Sequence, residues 1–212
     1  MYNCRLLIRM ISRTIQTRGF TLIEMLVSIA IFSIVMTMAL GALLALSVAD
    51  RKAETLKSGI DNLTFALDSM SRAIRTGSVY HCGTGGTATS PQDCTGISAD
   101  TYITFLSSNG VQTYYQLDVA QDGTSLCGQT VLPYGCIERK QGAGAWIPIT
   151  SPDIVILNTG HLFDVKGSAF SSSGDTVQPK VVITINATVP VSITQNTLVH
   201  MQTSVTQRIY DQ

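Results

Sequence analysis

From Phe20 to Ala49 the chain is mostly apolar, and the only charge in that run is Glu24. Residues 25–49 carry no charged side chain, and about 20 apolar residues cross a bilayer as a helix. The pattern therefore predicts a transmembrane helix. Beyond it the periodicity changes without stopping. Leu56, Ile60, Leu63, Leu67, Met70 and Ile74 follow steps of four and three, with Lys57, Asp61, Asp68, Arg72 and Arg75 on the faces between them. That is an amphipathic helix with one apolar stripe. The two segments together predict one helix from about Thr21 to Arg75, on the order of 80 Å at 1.5 Å per residue. Two helices meeting near Gly59 are the alternative. The second half must bury its stripe, and the rest of the chain is the available partner.

After Gly77 the residues turn to Ser, Thr, Gly and β-branched types. Candidate strands are 102–106, 111–119, 130–138, 146–150 and 154–157. The clearest is 181–189, where Val181, Ile183, Ile185, Ala187 and Val189 alternate with Val182, Thr184, Asn186 and Thr188. A period of two marks a half-buried strand. Residues 197–210 read similarly, with Val199, Met201, Val205 and Ile209 on one face, and 191–196 would join the two as antiparallel neighbours. Segments 83–98 and 167–178 read as polar loops. The expected class is α+β, a long N-terminal helix packed on an antiparallel sheet.

Charge adds an orientation. Arg5, Arg9, Arg13 and Arg18 precede the apolar run without any acid, which leaves ten basic and fourteen acidic side chains for the remainder. Basic residues before the span favour an N-terminus in the cytoplasm, with the C-terminal bulk outside. No cluster of Lys and Arg follows Arg18, so no nucleic-acid surface is indicated. A secretory signal peptide cut after Ala49 is the alternative for the leader, but its apolar core would be about 7–15 residues, roughly half of this run. Cys82, Cys94, Cys127 and Cys136 lie beyond the span, where disulfides form. Four cysteines allow three pairings. Cys82–Cys94 and Cys127–Cys136 are favoured because each closes a short loop, with four free thiols as the alternative.

A carboxylate near the end of a membrane helix is expensive and is read as functional. Its surroundings, Arg18-Gly19-Phe20-Thr21-Leu22-Ile23-Glu24-Met25-Leu26-Val27, resemble the processing site of type IV prepilins and type II secretion pseudopilins. The resemblance covers about thirty residues. It implies cleavage between Gly19 and Phe20 by a prepilin peptidase, which also methylates the new amine of Phe20. It implies further that Glu24 pairs with the N-terminal amine of a neighbouring subunit and sets register in a filament. Pairing offsets part of the cost of a carboxylate in hydrocarbon. Glu24 snorkelling to the headgroups is the plainer account. Where the family's major pilins often have a proline in the apolar run, this chain has Gly41. Ala30, Ser33, Thr37, Gly41, Ala45 and Ala49 form a small-residue stripe of the kind that lets membrane helices approach.

The implied organisation is a basic leader (1–19, removed), a transmembrane and filament-core helix (20–49), an amphipathic helix (50–76) and a globular β-rich head (77–212). The expected function is a minor pilin or pseudopilin, most like the larger J-like or W-like types. Its expected place is a bacterial inner membrane, then a type IV pilus or type II secretion pseudopilus. Its partners would be the peptidase, sister subunits and membrane lipid. The alternative is an extracytoplasmic binding module, an adhesin or a DNA receptor on a competence pilus. Enzymatic chemistry has little support. His81, His161 and His200 are isolated, and no metal, phosphate-loop or nucleophile-elbow motif is present. Asp118 and Asp122 could offer oxygen to Ca²⁺ but lack a ligand-dense loop. Trp146 reads as sheet packing. No cofactor or metal is expected.

Overall fold

The computed structural model describes residues 19–84, 87, 89–96, 100–119, 134–170, 174, 176–192 and 195–208. The chain divides into two units, Met1–Val48 and Ala49–Gln212. One helix, α1 (Leu22–Arg75), runs unbroken through Gly41 and Gly59. The break considered near Gly59 is absent, since nothing there removes a backbone donor as proline would.

In the first unit every described residue is exposed. The hydroxyls turn back on their own helix. Ser28 donates to the Glu24 carbonyl at 2.7 Å, Ser33 to Ile29 at 2.8 Å and Thr37 to Ile34 at 2.8 Å. These three hydroxyls are thus satisfied within the helix, which is long and apolar enough to cross a membrane.

In the second unit α1 buries Gly59, Leu63, Ala66, Leu67, Met70 and Ile74. The expected stripe is corrected at one position: Ile60 remains 37% exposed. Gly59 makes the contact instead. A Cβ there would lie 2.7 Å from Val189 Cγ1, so helix and sheet touch at a point where only hydrogen fits.

Nine strands follow among the described residues: β1 (Ser78–Cys82), β2 (Tyr102–Leu106), β3 (Gln112–Val119), β4 (Tyr134–Gln141), β5 (Ile147–Pro148), β6 (Val155–Leu157), β7 (Phe163–Lys166), β8 (Lys180–Ser192) and β9 (Gln195–Thr206). They form one antiparallel sheet in the order β1-β2-β3-β4-β6-β8-β7, with β5 beside β4 and β9 beside β8. The fold is α+β, with a curled antiparallel sheet. Its long strand β8 carries β6 and β7 along one edge and β9 along the other. The curl brings β1 to β7 through the short segment between them. Cys82 N–H donates to the Gln92 carbonyl at 3.1 Å, while Cys94 and Val165 exchange bonds of 2.9 and 2.7 Å. Inside lie Ile103, Phe105, Tyr115, Ile137, Phe163, Ile183 and Ile185, against Leu63, Met70 and Ile74 of the helix.

The alternating pattern over 181–189 became the core of β8, and β9 pairs with it from Lys180–Thr206 to Ser192–Gln195. β1 and β7 were not foreseen. Each has five residues or fewer, too short to display a period. Of the expected strand 130–138, residues 130–133 lie outside the described residues; β4 runs three residues past its expected end, because it pairs with β3 as far as Gln141–Thr113.

Candidate functional site

The site begins at the first turn of α1. Thr21 stands just before the helix, and its Oγ1 accepts the Glu24 N–H at 3.3 Å. This is half of a capping box, Thr-x-x-Glu, in which the threonine closes the helix entry and the glutamate occupies the third helical position. Glu24 lies among the N-terminal N–H groups, where the helix dipole favours an anion. The sequence contained this signal, yet Thr21 has a capping role that the resemblance alone did not assign. Its physical consequence is that the position of Glu24 is set by the helix itself.

Phe20 precedes the cap and is 76% exposed. Gly19 has no atom within 4 Å of where a Cβ would stand and no left-handed φ. Nothing among the described residues therefore asks for glycine at position 19. Residues 1–18, including Cys4 and the four arginines, lie outside the described residues.

The cysteines lie in the second unit. Cys82 and Cys94 form a disulfide with Cα atoms 5.8 Å apart, across a separation of 12 residues. Both sulfurs sit against the Phe163 carbonyl, at 4.0 and 3.6 Å, so the bridge joins β1, the 92–94 segment and β7. Beside it Asp93 accepts the N–H groups of Gly167 at 2.9 Å and Ser168 at 2.7 Å. Burial pushes the Asp93 carboxyl up, but the donors from Ser168 and Gly167, with Lys166 nearby, bring it below its usual range. Cys136 is also disulfide-bonded, whereas Cys127 lies outside the described residues.

Among the described residues no group of three or more His, Cys, Asp or Glu could hold a metal ion. Asp122 lies outside them. His81 Nδ1 meets the Ser90 carbonyl and His200 Nδ1 meets Asn186 Oδ1, each at 2.5 Å, so both rings have local partners. Trp146 packs edge-on against Tyr102 and Tyr114, both at 6.2 Å, with Lys140 over its ring at 5.8 Å. Next to that cluster, Glu138 is only 2% exposed. Its Oε2 accepts from Gln116 at 3.1 Å, and its Oε1 has no hydrogen-bond partner. Burial raises its carboxyl above the usual range, and Asp118 adds to the rise.

One family model matches the chain, that of the prokaryotic N-terminal methylation motif, over residues 16–40. No curated protein matches the chain, and no solved structure does. The matched segment spans Gly19, Phe20, the Thr21 cap, Glu24 and the apolar part of α1, and it ends before the head.

Proposed function

From a methylation motif that supports the type IV pilin and pseudopilin family, we propose that this chain is a minor pilin or pseudopilin. In this reading a prepilin peptidase cuts between Gly19 and Phe20 and methylates the new amine. The subunit then leaves the inner membrane for a filament. The apolar first part of α1 is the candidate membrane anchor and becomes the filament-core segment. The N-terminus faces the cytoplasm and the head lies outside, where Cys127 joins Cys136. The head acts as a structural body, in keeping with a family of structural subunits.

The carrying observation is the match over residues 16–40 falling on the start of a helix whose residues are all exposed as far as Val48. Two details support it. Among the described residues nothing crowds Gly19, and a residue without a side chain suits an extended backbone in a protease cleft. Cleavage would also place an ammonium on Phe20, one turn from Glu24. A carboxylate in hydrocarbon needs such a partner, and the amine of the next subunit would supply it.

The test is the intact mass and N-terminal sequence of the protein from the cells that make it. The expected chain begins at methylated Phe20. A chain beginning at Met1 or at Asp50 would overturn the reading.

A further inference from the structure

The head ends in a strand with one open edge. Among the described residues β9 pairs only with β8, so its other side presents a row of unpaired N–H and C=O groups. Such an edge is a template for another strand unless it is blunted by charge, proline, a bulge or short length. β9 has none of these protections over Asn196–Thr206, the one irregularity of its pairing lying between Pro190 and Ser192 of β8. Its 12 residues, Gln195–Thr206, contain no Asp, Glu, Lys, Arg or Pro, and its register with β8 is regular from Lys180–Thr206 to Pro190–Asn196.

Beside this edge apolar side chains are left partly uncovered. Gly59 of α1 touches Val189, whose cross-strand partner is Thr197. Further along α1, Ser71 and Arg75 line a groove of about 490 Å³ with Thr203–Thr206. α1 and β9 therefore run side by side in the same direction. Ile60 lies eleven residues, three turns, before Ser71 and so on the same flank of the helix. It belongs to the apolar stripe by sequence, yet it is the stripe residue left exposed. Across from that flank Val199 and Met201 are only partly buried. These apolar groups have the core on one side and the open edge on the other.

The groove has a charged end. Arg72 pairs with Asp68 at 2.7 Å. Arg75 lines it too, and the Arg208 N–H donates to the Arg75 carbonyl at 2.9 Å. Among the described residues no carboxylate forms an ion pair with Arg75.

We propose that β9 is completed in the assembled state by an extended segment of a different protein chain. That segment hydrogen-bonds to the free edge, lays apolar side chains over Ile60, Val199 and Met201, and sets an acidic side chain beside Arg75. Main-chain pairing gives affinity in such strand addition, and alternate side-chain pockets give selectivity. The acid argues for a different chain, because β9 of a second copy contains none. The inference stands on the head alone and does not depend on cleavage at Gly19.

The test uses the full chain in detergent micelles with two synthetic peptides, Thr-Val-Thr-Val-Thr-Val-Glu and the same sequence ending in Lys. Amide exchange across 195–206 should slow by about tenfold or more with the Glu peptide, which should bind about tenfold more tightly than the Lys peptide. Arg75→Glu, at an exposed position, should reverse that preference while exchange in β2–β4 stays unchanged. The proposal is overturned if neither peptide slows exchange at 195–206 or if binding ignores the terminal charge. It is equally overturned if the β9 amides that are not bonded to β8 are already protected in the protein alone, or become so by pairing between copies as concentration rises.

Discussion

Glu24 and Glu138 are both carboxylates without an obvious cation, and their surroundings give them different physics. Glu24 is exposed at the third position of a capped helix, where its charge is welcome to the dipole but foreign to hydrocarbon. Glu24→Val should leave cleavage and helix formation intact and reduce incorporation into filaments about tenfold or more, read by immunoblotting sheared filaments against the membrane pool. Normal incorporation would remove the pairing role. Glu138 is buried on β4 with Oε1 unpartnered, and its folded-state carboxyl titrates above its unfolded value. Protonation therefore stabilises the fold at low pH, and that contribution is lost as pH rises through the folded value. Glu138→Gln should stabilise the head by about 1 kcal/mol near neutral pH and flatten the dependence at pH above the ordinary carboxyl value. Thermal unfolding of both proteins across that range checks the slope. Glu24 stood out in the sequence because it is the only charge between Phe20 and Ala49. Glu138 was invisible, because its neighbours are Gln116 and Asp118 on another strand.

At the scale of elements, α1 was legible nearly to the residue, since 54 residues of helix display their period many times over. The stripe was misread by one position because burial on a helix depends on where the partner stops. Gly59 meets Val189 and Ile60 meets no ninth-strand cover on its flank. Gly59→Ala should therefore destabilise the head by about 1–3 kcal/mol through overpacking, despite alanine's better helix propensity. Val189→Ala in the same chain should recover part of the loss. Urea unfolding of the two single variants and the double variant measures the coupling, and strict additivity would mean that the contact is not where the cost lies. The helix also ends on a partner that sequence did not suggest. The Tyr80 hydroxyl lies 2.7 Å from the Ile74 carbonyl and 2.9 Å from that of Gly77, closing the last turn from β1.

At the scale of the whole head, the curl is held at the meeting of β1 and β7, where the Cys82–Cys94 bridge and the Asp93 clamp lie together. The pairing was readable from loop length. Its position at the closure of the sheet was not, because β7 is separated from Cys94 by nearly seventy residues. Replacing both cysteines by serine should cost about 3 kcal/mol on the chain-entropy estimate for a loop of this size. Exchange should quicken first in β1, the 89–96 segment and β7, with α1 and β8 less affected. A uniform change across the head would place the bridge's effect in the unfolded chain alone.

The sequence by itself determined the apolar span, the continuity of α1, the processing motif around Gly19 and Glu24, the α+β class and the central β8–β9 hairpin. All are local: periodicity, capping and cleavage motifs are written in residues a few positions apart. Tertiary structure alone decided the strand order, the burial of Glu138, the short strands β1 and β7, and the open edge of β9 beside Ile60. Each of these depends on which distant segment arrives as a neighbour, and the energy of a contact belongs to the pair rather than to either residue in the chain.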